Sequence, residues 1–142
     1  MSAPSDAFES IVTAVPGPRS RELAAQLARV EAPGVTYLGR DYPVFWESAA
    51  GALVTDVDGN RYLDLTSAFG VTATGHTNPY VAAAVGDQAQ RLIHGMGDVH
   101  PTEVRVRLLE RLAELAPGEL CKSYLASSGA EAVEFALKTA LL

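Results

Sequence analysis

Apolar residues recur with a helical period in four stretches of this chain. Such a stripe predicts a helix that packs along one side. The first helix is predicted from Arg19 to Val30, the second after Asn78-Pro79, the third after Pro101 and the fourth after Ser128. The positions predicted to face inward are Leu23, Leu27 and Val30; then Val81, Val85, Ala89 and Leu92; then Val104, Leu108, Leu112 and Leu115; and finally Val133, Leu137, Ala140 and Leu141.

Between the first two helices the apolar residues alternate with polar ones, a period typical of β-strands. Residues 52–57 and 61–66 flank Asp58-Gly59-Asn60, and two β-prone runs around an Asp-Gly turn predict a hairpin. A shorter β-prone run lies at residues 43–47. The acidic residues of the hairpin are interpreted as structural and not catalytic: Asp56, Asp58 and Asp64.

Two glycine-bearing stretches, residues 67–77 and 94–100, show neither period. The small residues of the first predict a loop held close to a neighbouring backbone or to a ligand. In the second, the spacing of two histidines and an aspartate matches no compact zinc pattern, so no metal site is predicted. His76 is interpreted as a loop residue that hydrogen-bonds to backbone, and not as a catalytic base.

A possible anion site lies where the last helix begins. Residues 121–127 predict a short strand, followed by a tight turn of small residues. Ser128 and Glu131 have the spacing of a capping box, in which each side chain bonds to the other's backbone amide. The amides of Gly129 and Ala130 would then be open to an anion, which the helix dipole favours. The same residues also fit a capped turn that binds nothing.

Composition narrows the class of protein. With 142 residues and 48% apolar content, the chain has the length and composition of one globular domain. A net charge of −6 argues against a nucleic-acid surface. No apolar run suggests a membrane span, and the first ten residues lack the blocks of a signal peptide, so we expect a cytoplasmic protein. Cys121 is the only cysteine and is predicted to be a buried strand thiol.

Three motifs in this order resemble a known family. They are a D-x-D-G-x-x-Y-L-D run over residues 56–64, Thr-Gly-His-x-Asn-Pro over residues 74–79, and Ser-Ser-Gly-Ala-Glu-Ala-Val-Glu-Phe-Ala-Leu-Lys over residues 127–138. Together they resemble the class III aminotransferases, which are pyridoxal 5′-phosphate enzymes of fold type I. The match runs from about residue 20 to the end. The lead segment, residues 16–20, is most similar to the 4-aminobutyrate aminotransferase branch.

The resemblance implies an α/β fold in three parts. Residues 1–17 would be a mobile lead-in, and residues 18–75 an N-terminal segment with a helix and a β-hairpin. Residues 76–142 would begin the large cofactor-binding domain with its first helices and first strand-helix unit. The implied reaction moves an amino group from an amino acid or ω-amino acid to a 2-oxo acid, in a homodimer.

The resemblance also implies roles for particular residues. Ser128, Gly129 and Ala130 match the positions that hold the cofactor phosphate. Phe69 matches a segment that lines the substrate pocket, and Asp98 a stretch near the active site that meets substrate or the neighbouring subunit. Ala130 stands where many relatives carry threonine, which removes a hydroxyl but keeps the amide.

One requirement of the family is not met. Its chemistry needs a lysine that forms a Schiff base with the cofactor. The two lysines are Lys122, at the far end of the predicted strand, and Lys138, roughly 13 Å along the helix from Gly129 at the rise of an α-helix. We therefore expect an N-terminal fragment, inactive alone, with exposed apolar surface. One alternative is a non-catalytic assembly module that needs a lysine-bearing partner chain. Another is a binding or structural protein that kept the N-terminal architecture and lost the chemistry.

Overall fold

A computed structural model describes residues 9–142, and its contacts divide the chain into two compact units. The first unit ends at Ala89, and the second unit runs from Gln90 to Leu142. Residues 1–8 of the predicted lead-in lie outside the described residues. None of the helices between residues 9 and 142 is long and apolar enough to cross a membrane.

The first helix, α1 (Pro18–Val30), is confirmed, and a carboxylate from another part of the chain caps it. Gly17 occupies the N-cap position, which has no side-chain cap of its own. Instead Asp58 accepts hydrogen bonds from the amides of Arg19 at 2.7 Å and Ser20 at 2.9 Å. The Asp58 carboxylate fills the space that a Cβ at position 17 would need, so this position requires glycine. The hairpin turn therefore fixes the start of α1.

Three antiparallel strands form one sheet in the order β1 (Trp46–Ala50), β2 (Leu53–Asp56) and β3 (Arg61–Leu63). The predicted hairpin is confirmed: β2 pairs with β3 across the Asp58-Gly59-Asn60 turn, with Val54 opposite Tyr62. The strand predicted over residues 43–47 begins only at Trp46. Pro43 has no amide hydrogen to donate to a ladder, and within this run the Phe45 carbonyl accepts from the Val57 amide at 2.9 Å.

The buried centre of the sheet is mostly polar. Asp56 and Asn60 have no exposed surface, and Val54 is 1% exposed. Asp56 Oδ1 accepts from the amides of Asp58 and Asn60, while Oδ2 accepts from the Asn60 side chain and the Tyr62 hydroxyl. Three of these four bonds come from residues of the turn and the fourth from Tyr62 in β3, which agrees with the structural interpretation of Asp56. Burial is the main cause that raises the pKa of Tyr62 to about 12, and the hydrogen bond to Asp56 is the second cause.

Asn60 also holds the segment that precedes α1. Its Oδ1 accepts from the amides of Val12 and Thr13, both at 2.8 Å, and its Nδ2 donates to the Thr13 hydroxyl. Ser10 adds a backbone bridge to Arg61 of β3. One buried side chain thus joins the lead segment to the hairpin.

We expect the first unit to lose stability in acid. The pKa values of Asp56, Asp58 and Asp64 lie below their usual 3.8. Burial acts to raise the first two, but hydrogen bonds outweigh it, and for Asp64 the main cause is the bond to His76. A carboxyl with a lowered folded-state pKa stabilises the fold above its unfolded pKa of about 3.9 and loses that contribution as pH falls through the folded value.

Urea midpoints measured between about pH 6 and pH 2 should therefore fall steadily below about pH 4. Asp64→Asn should flatten this decline, because it removes the carboxyl with the largest shift among these three. A decline of equal slope in the variant would contradict the assignment.

The loop after β3 contains a left-handed helical turn, α2 (Ser67–Gly70). Four successive residues have positive φ: Ser67 at 50°, Ala68 at 47°, Phe69 at 59° and Gly70 at 83°. For residues other than glycine this conformation costs roughly 1–2 kcal/mol each. The sequence predicted a loop held close to a neighbour, and the structure adds that its backbone is strained.

The three remaining helices begin close to their predicted positions. They are α3 (Pro79–Arg91), α4 (Glu103–Leu115) and α5 (Gly129–Ala140). Asn78 Oδ1 accepts from the amides of Tyr80 and Val81 at the start of α3. Thr102 caps α4, because its hydroxyl accepts from the Arg105 amide.

The inward-facing stripes predicted for these helices are wrong for the chain as described. Seven of the residues predicted to face inward are between 47% and 65% exposed: Val81, Val85, Val104, Leu108, Leu115, Val133 and Leu137. No residue of α3, α4 or α5 is buried, since no layer among the described residues covers these faces. The expectation of exposed apolar surface is confirmed.

The predicted strand over residues 121–127 is also absent. A buried parallel strand needs neighbours on both sides, and the described residues of the second unit offer no strand to pair with. Cys121, predicted to be a buried strand thiol, is consequently exposed.

Candidate functional site

The N-terminus of α5 has the geometry of an anion site. Ser128 is the N-cap residue, with extended backbone angles (φ −151°, ψ 160°), and its Oγ accepts from the Glu131 amide at 3.2 Å. This bond satisfies the third amide of the helix. The first two amides belong to Gly129 and Ala130 and have no partner within an α-helix. The cap therefore leaves two adjacent donors at the end where the helix dipole is positive.

Space around this end is available. A Cβ at Gly129 would meet no atom within 4 Å. The residues present thus fit a phosphate group, which prefers backbone amides at a helix N-terminus. The predicted residues Ser128, Gly129 and Ala130 are brought together by this cap.

The capping box differs from the predicted one in its second bond. Glu131 was expected to accept from the amide of Ser128, but its Oε2 accepts from the amide of Ser127 at 2.8 Å. Its Oε1 accepts from the Tyr124 hydroxyl at 2.8 Å. Because Tyr124 binds Oε1 of Glu131, Oε2 lies beside the amide of Ser127 and not that of Ser128. The Ser127 amide, followed by Tyr124, lowers the pKa of Glu131, which is therefore ionised at neutral pH.

Tyr124 and Phe135 support this turn, and the sequence did not reveal them. Their rings stack with centroids 3.9 Å apart and planes 4° apart. The stack fastens the extended segment before Ser128 to the second turn of α5. A separation of eleven residues matches no local pattern, so only a hydroxyl-bearing aromatic ahead of an S-x-x-E motif could have suggested it.

The two residues predicted for the substrate pocket lie in different units. Phe69 lies in the left-handed turn of the first unit and is 99% exposed. Asp98 lies in an exposed loop of the second unit, where the neighbouring Gly97 carbonyl accepts from Arg105 Nη1 at 3.0 Å. Among residues 9–142, no three histidine, cysteine, aspartate or glutamate side chains are grouped closely enough to hold a metal.

His76 differs from its interpretation as a histidine bonded to backbone. Its Nε2 lies 2.7 Å from Asp64 Oδ2, and both side chains are at least 90% buried. The Trp46 ring meets the imidazole edge-on, with centroids 5.8 Å apart. Since an ionised carboxylate only accepts, Nε2 carries the proton. The pair is a polar contact inside the first unit.

An open apolar groove of about 550 Å³ lies beside this pair in the first unit. Its walls include the side chains of Tyr42, Trp46, Tyr62, Leu63, Leu65 and Asp64. Sequence reasoning missed it, because its lining comes from the loop before β1 and from all three strands.

Comparison with known proteins identifies the family. The model of the family described as aminotransferase class-III matches residues 37–142. The 4-aminobutyrate aminotransferase of Mycobacterium leprae is 43% identical over 131 residues, which are 92% of this chain and 29% of that protein. The chain therefore spans less than a third of the length of this relative.

Solved structures agree with this result. An ω-transaminase from Sphaerobacter thermophilus superposes with a TM-score of 0.75 at 32% identity, over 88% of this chain and 28% of the other. A transaminase with PLP bound also gives a TM-score of 0.75, at 28% identity, over 92% of this chain and 30% of that one. The motifs, the fold and the family match converge, and the chain belongs to the class III aminotransferases.

Proposed function

We propose that the protein is a pyridoxal-phosphate-dependent aminotransferase, which moves an amino group from an amino acid or ω-amino acid to a 2-oxo acid. The observation that carries the proposal is the start of α5, where Ser128 caps one amide and leaves those of Gly129 and Ala130 for a phosphate. The similarity to a 4-aminobutyrate aminotransferase makes 4-aminobutyrate the first donor to test.

In this proposal Gly129 and Ala130 hold the cofactor phosphate by their backbone amides, and Ser128 and Glu131 keep those amides in place. The cofactor, when bound, supplies an electron sink for the bond that breaks at the substrate carbon. Phe69 would line the substrate pocket, and Asp98 would contact substrate or a neighbouring subunit. Residues 76–142 would begin the large domain of a cytoplasmic homodimer.

The lysine that this chemistry requires would lie outside these 142 residues. Lys138 is paired with Glu134, with Nζ and Oε1 2.6 Å apart on the surface of α5. It follows Gly129 by nine residues, so it lies roughly 13 Å along the helix from the backbone amides of Gly129 and Ala130, which are the proposed phosphate seat. These residues alone would be inactive, and a longer chain or a partner chain would supply the amine.

The test is amino transfer by the protein expressed from its complete gene. We expect 4-aminobutyrate or another ω-amino acid to change the absorbance of bound pyridoxal phosphate. Addition of a 2-oxo acid should restore the original absorbance, while the amino acid formed from that 2-oxo acid accumulates. The intact mass then decides the source of the lysine. A mass well above 15.0 kDa indicates a longer chain, and a mass of 15.0 kDa with a lysine-bearing partner indicates an assembly. No spectral response to any amino donor would overturn the proposal.

A further inference from the structure

The left-handed turn α2 is not stabilised by its own sequence. Of its four residues with positive φ, only Gly70 adopts that conformation without steric cost. Its backbone bonds come from its last residue and the two that follow: the amide of Gly70 donates to the Thr66 carbonyl at 3.0 Å, that of Val71 to the carbonyls of Ala68 and Ser67, and that of Thr72 to the Ser67 carbonyl at 3.0 Å. The Thr72 hydroxyl is buried and finds no partner among the described residues. Something outside the turn must hold it.

Asp64 provides that support through four hydrogen bonds. Its Oδ1 accepts from the amide and the hydroxyl of Thr66, at 2.9 and 2.8 Å. Its Oδ2 accepts from the amide of Ala68 at 2.9 Å, inside the turn, and from His76 Nε2 at 2.7 Å. The carboxylate thus joins the start of the turn to a residue beyond its end.

His76 in turn fastens Asp64 to the sheet. Its backbone exchanges two hydrogen bonds with Gly51, at 3.0 and 2.8 Å, and the ring lies against Trp46 of β1. Gly75 brings the chain into this position, because its φ of 88° is a conformation that glycine adopts without steric cost. The turn is therefore anchored to the sheet by a carboxylate and imidazole pair.

The turn presents an aromatic side chain that contacts nothing in its own unit. Phe69 is 99% exposed, and the flanking Leu65 and Val71 are 85% and 84% exposed. Strained backbone that the surrounding structure holds in place is typical of functional sites. We infer that Asp64 and His76 are positioning residues, which hold α2 so that Phe69 meets the substrate at a fixed place. This rests on the proposed function, in which Phe69 lines the substrate pocket.

Three variants of the protein expressed from its complete gene test the inference. His76→Ala removes the imidazole, whereas His76→Gln keeps a donor, because the amide nitrogen of glutamine stands the same number of bonds from Cα as Nε2 of histidine. Asp58→Asn is the matched control: it weakens the cap of α1 in the same unit but touches neither the pair nor the turn.

The first measurement is hydrogen exchange of the Thr66 and Ala68 amides, which bond to Asp64. In His76→Ala we expect their exchange to be about tenfold faster, because local opening becomes easier, while the Val12 and Thr13 amides are unchanged. His76→Gln should restore slow exchange. Equal exchange in His76→Ala and the unsubstituted protein, or equal acceleration in Asp58→Asn, would overturn the inference.

The second measurement separates KM from kcat for the amino donor. Misplacement of Phe69 in His76→Ala should raise KM by about tenfold with a smaller loss in kcat, because poor positioning weakens productive binding. The absorbance of bound cofactor should stay unchanged, and Asp58→Asn should leave KM unchanged. A KM in His76→Ala equal to that of the unsubstituted protein would overturn the role of the pair, while the proposed function stands. No transamination by the unsubstituted protein would overturn the proposed function and the role of Phe69 together.

Discussion

Gly129→Pro should weaken binding of pyridoxal phosphate by about 10- to 100-fold, the equivalent of one charge-assisted hydrogen bond of about 1.5–3 kcal/mol. Proline at the first position of a helix removes one amide donor but keeps the helix, because its φ is already helical. The preceding Ser128 has the extended backbone that a residue before proline requires. The substitution therefore replaces one amide hydrogen of the phosphate seat with the proline Cδ and keeps the helix.

Gly129→Ala is the matched control for this prediction. It adds a Cβ where nothing lies within 4 Å and keeps the amide. We expect its affinity to stay near that of the unsubstituted protein, measured by titration with pyridoxal phosphate. Pyridoxal, which lacks the phosphate, should bind all three proteins equally. Equal affinity of the proline and alanine variants for pyridoxal phosphate would contradict the amide's role.

Asn60→Ala should destabilise the first unit by about 3 kcal/mol, since it removes four side-chain hydrogen bonds that each contribute about 0.5–1.5 kcal/mol. The substitution deprives the amides of Val12 and Thr13 of their acceptor and removes one donor from Asp56. Against a total stability of about 5–15 kcal/mol for a typical domain, this loss is large. Urea unfolding followed by the fluorescence of Trp46, the chain's single tryptophan, measures it.

Asn78→Ala makes the same chemical change at a different kind of site. Asn78 caps α3, and loss of a helix cap costs about 1 kcal/mol. The two variants together distinguish a buried link between segments from a local cap. If Asn60→Ala lost no more stability than Asn78→Ala, the side chain of Asn60 would not be what joins residues 10–13 to the hairpin.

The start of α5 could be read from the sequence because its cause is local. A capping serine, two small residues and a glutamate three positions later define the helix start within one turn. The hairpin was predictable for the same reason, since an Asp-Gly turn between alternating runs specifies it. The partner of Glu131 was not, because it depends on Tyr124 and on how that ring stacks against Phe135.

Contacts between distant parts of the chain could not be predicted. Asp58 was correctly interpreted as structural, but its partners lie 38 and 39 residues away at the start of α1. The side chain of His76 was predicted to hydrogen-bond to backbone, whereas it bonds to Asp64, twelve residues earlier. No periodicity encodes such a pair, because each partner is set by the path of the backbone between them.

The sequence by itself determined the helix starts, the hairpin and the family, because each depends on neighbours within a few residues or on motif order. Only the tertiary structure decided which polar side chains are buried, how α2 is held, and which apolar faces find cover. The predicted stripes of α3, α4 and α5 show the difference. Their periodicity fixed where the apolar residues lie on each helix, but burial needs a second surface, and that surface is a property of the assembled fold.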